Sequence, residues 1–202
     1  MKEIKVRVTL TEELLGTASA DPDIHDTYIA SLAPDAESRE EEVAALGVDA
    51  VQEKSMTVFP KENGIPFLWD YQIRGFFKDT CGALQRMKGE DMAKKSCAMK
   101  AYKKVIDGCI FVEPRKVLLN TNGQPLGKCQ RPLRAQTAQG ERIALACSET
   151  VPAGTTCEFT VVTPDMYADT IIEWLDYGRL RGFGQWRNSG KGRMKYEVLE
   201  IS

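Results

Sequence analysis

The sequence predicts an α+β sandwich: an antiparallel sheet with helices packed on one face. Three observations predict it. The first segment alternates apolar and charged residues, as a half-buried strand does. Two later segments repeat apolar residues at helical spacing. Extended segments lie between and after them, so the order reads strand, helix, strands, helix, strand.

The opening strand is "KEIKVRVTL" (2–10), in which Ile4, Val6, Val8 and Leu10 share one face. "NGIPFLWDYQIRGFFKDTCGALQRMKG" (63–89) begins with a turn. Asp70 is the expected N-cap of its helix, and Ile73, Phe76, Phe77, Cys81 and Leu84 form the buried stripe. "GEDMAKKSCAMKAYKKVIDG" (89–108) reads as a second, lysine-rich helix. "CIFVEPRKVLL" (109–119) is extended, and 120–141 has the turn chemistry of a long loop or loose hairpin. "RIALACSETVPAGTTCEFTVVT" (142–163) reads as two strands around the turn "PAGT". Pro164 suits the first turn of the next helix, with Met166, Ile171, Trp174 and Leu175 on its apolar side, and "RMKYEVLEI" (193–201) closes as a strand. This βαββαβ order is that of a ferredoxin-like fold in one domain, 1–202, with a long insertion at 21–60 after the first strand. The insertion is acidic: residues 35–55 hold seven acids.

Net charge is −2 and the isoelectric point about 5.6, so any anion-binding role rests on local patches. The six cysteines form no CxxC pair, and with one histidine there is no ligand-spaced cluster, so no metal and no cofactor are expected. The start is a strand rather than a signal peptide, and no apolar run reaches the ~18–20 residues of a membrane helix. The expectation is a cytoplasmic protein with reduced thiols, and Cys81, Cys147 and Cys157 at apolar core positions.

The patches are explicit. From 71 to 104 there are nine bases against three acids. The stretch "GRLRGFGQWRNSGKGRMKYEVLEI" (178–201) mixes five glycines with six bases and no acid before Glu197. Glycines let backbone N–H groups approach an anion, arginines grip phosphate bidentately, and Phe183 and Trp186 offer faces for bases. The candidate RNA contacts are therefore Arg74, Lys78, Arg131, Arg134, Arg179, Arg181, Phe183, Trp186, Arg187, Lys191 and Arg193. The spacing is not that of a nucleotide-binding P-loop, and a plain glycine-rich hairpin is the alternative.

Three segments in order, "PFLWDYQIRG" (66–75), "SETVPAGTTCEFTVV" (148–162) and "WLDYGRLRGFGQW" (174–186), resemble the RAMP superfamily of CRISPR-associated proteins, most closely the backbone subunits that coat guide RNA. "WDYQ" replaces the small residues usual at the first helix start, and the acidic insertion is unusual, so the chain resembles a divergent member. The resemblance implies an RRM-like fold that binds single-stranded RNA chiefly through its backbone, beside other CRISPR-complex subunits or copies of itself. It also bears on catalysis. Asp21 and Asp23 sit near the place of an aspartate that supports cleavage in RNA-cutting members, and His25 is a general acid or base of the right pKa class. Two alternatives to an RNA-binding subunit follow: an endoribonuclease using those three residues, and a phage-borne protein that regulates a CRISPR complex by protein contact.

Overall fold

Ile4, Val6, Val8 and Leu10 are all buried on one side of β1 (Lys2–Leu10), as their alternation requires. The computed structural model describes residues 1–20, 56–137 and 140–202, with side chains described outside 133–145. The chain is mixed α+β and divides into two compact units, residues 1–14, 60–125 and 151–202 in one, and 15–59 and 126–150 in the other.

In chain order the further strands are β2 (Leu14–Leu15), β3 (Ala18–Ser19), β4 (Thr57–Val58), β5 (Lys61–Glu62), β6 (Ile65–Trp69), β7 (Phe111–Glu113), β8 (Lys116–Leu118), β9 (Gly127–Thr137), β10 (Gly140–Val151), β11 (Thr156–Thr163) and β12 (Met194–Ile201). The helices are α1 (Asp70–Leu84), α2 (Lys94–Ala98), α3 (Tyr102–Cys109) and α4 (Ala168–Arg181). None is long and apolar enough to cross a membrane.

The first unit is built on a sheet of order β12-β1-β11-β7, antiparallel throughout. Counting only these four strands, the chain runs β1, α1 to α3, β7, β11, α4, β12, so the last strand borders the first and the third lies between first and second. Cys157, Phe159 and Val161 of β11 continue the apolar face of β1. Against it lie the stripes of α1 (Ile73, Phe76, Phe77, Cys81, Leu84) and α4 (Ile171, Trp174, Leu175), all buried. Phe77 and Trp174 meet at 5.5 Å between ring centroids. Such large apolar side chains are worth ~3–5 kcal/mol each when truncated. Met166, expected on the apolar side, is instead 75% exposed. It falls in a short 3-10 turn, Asp165–Tyr167, that precedes α4, so its phase differs from the helix.

Two other expectations change. The cap of α1 is Trp69, not Asp70: Trp69 is extended (φ −75°, ψ 149°), and its N–H donates to Gln72 Oε1 at 2.8 Å. The helix expected over 89–108 is broken. A 3-10 turn (Asp91–Ala93) leads into α2, and Ala101 at φ 49° separates α2 from α3. The Gln85 side chain donates to the carbonyls of Ser96 (3.0 Å) and Met99 (2.8 Å), so the end of α2 is satisfied without further helix. A small sheet, β5-β6-β8, sits beside the start of α1, and the Asp70 N–H donates to the Arg115 carbonyl at 2.9 Å.

The second unit contains the long ladder of β9 and β10, in register from Gly127↔Thr150 to Thr137↔Gly140. β4 joins β10 in parallel at Thr57↔Ser148, and β3 pairs with β4. The two strands around "PAGT" are present but do not form a hairpin: β10 pairs with β9 and β4, whereas β11 pairs with β1 and β7. The segment expected as a long loop or loose hairpin, 120–141, supplied the partner strand β9. Cys81, Cys147 and Cys157 are buried free thiols, and burial pushes Cys81 up to about 11 and Cys157 up to about 12.

Two glycines test the helix packing. A Cβ at Gly178 of α4 would lie 2.1 Å from Phe76 Cζ, whereas one at Gly75 of α1 would meet nothing within 4 Å. Gly178→Ala is expected to destabilise by about 1–3 kcal/mol through overpacking. Gly75→Ala should stabilise by about 0.5–1 kcal/mol through helix propensity. Urea midpoints of the two variants against the parent check both signs.

Candidate nucleic-acid interface

The glycine-rich stretch begins inside α4, whose last turn carries Arg179 and Arg181. Gly182, at φ 81°, ends the helix, and its N–H donates to the Gly178 carbonyl at 2.8 Å. The chain then folds back on itself. The Phe183 N–H donates to the Gly192 carbonyl (2.9 Å), and the Gly192 N–H donates to the Glu13 carbonyl (2.8 Å). A Cβ at Gly182 would lie 2.6 Å from the Lys191 carbonyl oxygen, and one at Gly192 would lie 2.3 Å from the Phe183 carbonyl oxygen. These glycines therefore serve a crossing of the loop's two limbs.

Phe183 is 3% exposed, with its ring 4.2 Å from that of Phe76. Its face is spent in the core and is not offered to a base. Trp186, in the left-handed region at φ 53°, opens a short 3-10 turn over Arg187–Ser189 and is 37% exposed.

The basic residues divide into two groups. Asp79 of α1 accepts from Arg181 Nε at 2.9 Å and from Arg187 Nη1 at 2.5 Å, both on Oδ2. Lys191 pairs with Glu13 at 2.5 Å. Arg74 pairs with Asp70 at 3.2 Å and Lys78 with Asp107 at 2.5 Å. Arg179 and Arg193 are exposed. Arg179 donates to the Asp176 carbonyl (3.2 Å), and the Arg193 guanidinium passes 3.6 Å from where a Cβ of Gly190 would sit. Arg131 is half-buried on β9. Arg134 is also on β9, but its side chain lies outside those described. Asp21, Asp23 and His25 lie outside the described residues, as does most of the 21–60 segment.

The structure thus gathers Arg179, Arg181, Trp186, Arg187, Lys191 and Arg193 on one loop and its helix, with Phe183 beneath. Asp79 was missed from sequence. Its signal was present, since it is the single acid between Tyr71 and Gly89 in a run of bases. Burial draws the Asp79 pKa upward, but the hydrogen bonds and charges of Arg181 and Arg187 outweigh it and hold the carboxyl below its usual range.

The open face of the four-stranded sheet is a different surface. On β1 and β11, Arg7 pairs with Glu158 at 2.8 Å and reaches Glu197 of β12 at 3.5 Å, and Lys5 lies 3.8 Å from Glu158. Its two central strands present compensated charge rather than rings, and the exposed ring of Phe111 stands at the edge strand β7.

No family model matches the chain, and no curated protein matches it in sequence. Among solved structures, a chain in the cryo-EM structure of Type III-B Cmr-beta bound to cognate target RNA aligns with a TM-score of 0.51 at 12% identity. The likeness is one of fold. It covers 100% of this chain and 60% of that one, so this protein spans about three fifths of the length of the chain it matches.

Asp79→Asn tests the lock on the loop. A carboxyl with a lowered folded pKa contributes stability above its unfolded value, near 4, and loses it as pH falls through the folded one. The variant is expected to lose about 1 kcal/mol at pH 7, a figure reduced for partial exposure. Its melting temperature should fall less steeply than the parent's as pH drops below about 4, which a pH series of thermal melts checks.

Proposed function

We propose that this chain is an RNA-binding protein of the RAMP type, with a ferredoxin-like domain over 1–202 that carries 21–60 as an insertion. It binds single-stranded, guide-type RNA as a cytoplasmic subunit of a CRISPR-type ribonucleoprotein, beside other subunits or further copies of itself. The observation that carries the reading is the fold likeness, along the whole of this chain, to part of an RNA-bound Cmr-beta assembly. The strand order β12-β1-β11-β7 with its two helical crossovers supports the ferredoxin-like reading. On the surface, Arg179 at the end of α4 and Arg193 and Trp186 on the loop that follows supply two exposed cations and a partly open ring. These fit a phosphate backbone with its bases splayed to one side. Arg181 and Arg187 act one step back, holding the loop through Asp79.

The test is single-stranded RNA binding by fluorescence anisotropy across a salt series, for the parent and for Arg179→Ala/Arg193→Ala. Those two side chains are chosen because their removal leaves the Asp79 pairs intact. The parent should bind more weakly as salt rises. In the variant, the slope of log K against log salt should be shallower by about 1.4, at roughly 0.7 per phosphate lost. Absence of binding by the parent at low salt would overturn the reading. The same RNA run on a denaturing gel should remain intact; cutting that is lost in Asp21→Ala, Asp23→Ala or His25→Ala would favour the endoribonuclease instead.

A further inference from the structure

Beside the edge strand β7 lies a cleft of about 690 Å³, within the roughly 300–1,000 Å³ span of small-molecule sites. It belongs wholly to the first unit, between the first turns of α1 and the β7–β8 connection. Arg74, Asp70, Phe111, Glu113, Pro114 and Arg115 line it. None of these except Arg74 entered the sequence-based set of contacts.

The chemistry of the lining is specific. Arg115 is exposed and makes no ion pair among the described residues; its guanidinium rests 5.7 Å from the centroid of the Trp69 ring. That ring fixes the cation in place without using its hydrogen-bond donors. Arg74 has one nitrogen on Asp70, and its Nε has no partner among the described residues, so its hydrogen-bond set is incomplete. Phe111 is 45% exposed, an unusual position for a phenylalanine at a sheet edge. Glu113 is exposed and makes no ion pair among the described residues.

Two arginines and two acids cancel formally, which argues against a simple anion. An apolar ligand would have to desolvate four ionic groups. The lining suits a ligand with an anionic group, a flat ring and hydroxyl donors. We propose that this cleft binds a nucleotide, with Arg115 and Arg74 on the phosphate, Phe111 against the base and Glu113 accepting from the ribose hydroxyls. A free nucleotide and a single residue of an RNA strand share this chemistry. The strand source rests on the RNA-binding reading above; the cleft itself does not.

The test titrates AMP, dAMP, inorganic phosphate and a short oligouridylate into the full chain, read by tryptophan fluorescence, since Trp69 lies under Arg115. The variants are Arg115→Ala, Phe111→Ala and Glu113→Gln, with melting temperatures as the folding control. AMP is expected to bind more tightly than phosphate, with Arg115→Ala and Phe111→Ala each weakening it about tenfold. Glu113→Gln should erase the preference for AMP over dAMP. Parallel loss of oligouridylate binding in the same variants identifies a strand residue as the occupant. AMP binding that the variants lose while oligouridylate binding is unchanged identifies a free nucleotide. AMP binding without any oligouridylate binding keeps the cleft and removes the RNA-binding reading. AMP binding no tighter than phosphate, or unchanged in both Arg115→Ala and Phe111→Ala, overturns the cleft. The Arg179→Ala/Arg193→Ala series then judges the RNA-binding reading separately.

Discussion

The first unit depends on a hydrogen-bonded chain that runs through its core. Trp174 of α4 is fully buried and donates from Nε1 to Ser96 Oγ at 2.9 Å. Ser96 Oγ in turn donates to Glu173 Oε1 at 2.5 Å, and the same carboxylate accepts the backbone N–H groups of Lys95 (3.1 Å) and Ser96 (2.9 Å). One side chain from α4 therefore satisfies two of the orphan donors of α2, while its neighbour Trp174 fills the space against Phe77 of α1. Three helices are set relative to each other by polar bonds as well as by apolar contact, and the polar part specifies one arrangement among many that the apolar part would accept.

That arrangement decides where charge ends up. The chain is nearly neutral overall, and Lys78 of α1 and Arg181, Arg187 and Lys191 of the glycine-rich stretch are answered by acids far away in sequence. Asp79 meets Arg181 and Arg187 across 102 and 108 residues, and Glu13 meets Lys191 across 178. A positive run in the sequence is thus a poor guide to a positive surface. The exposed remainder of those segments, Arg179, Arg193 and Lys195, is smaller than their composition suggests.

What the sequence made legible follows from the range of the forces involved. β1 was readable to the residue because Ile4, Val6, Val8 and Leu10 alternate without interruption. The stripe of α1 was equally plain, from Ile73 to Leu84. The β9–β10 ladder was not. Pro132 stands inside β9 opposite Leu145, and a proline within a run ordinarily argues against a strand. The break between α2 and α3 depends on Gln85 reaching carbonyls 11 and 14 residues on. At the interface, the basic character of residues 178–195 was visible, but the burial of Phe183 was not. Its neighbours in sequence are polar or glycine, and only Phe76, from another helix, gives it a reason to be inside. Arg115 was passed over because a lone arginine after a proline carries no pattern; its setting comes from Trp69.

The closed glycine loop also constrains how this protein can diverge. Gly178 touches Phe76, and Gly182 and Gly192 touch the opposing limb of their own loop. Any side chain at these three sites must displace backbone or a buried ring. Between them, Gln185 to Gly190 form a short arc held at both ends. Apart from Arg187, which Asp79 ties down, substitutions in that arc can change which chemical groups are displayed while the frame beneath stays the same. Related chains should therefore differ most at 185, 186, 188 and 189 and least at Arg187 and the glycines on either side, so that a new ligand preference is reached by redecorating a fixed mount.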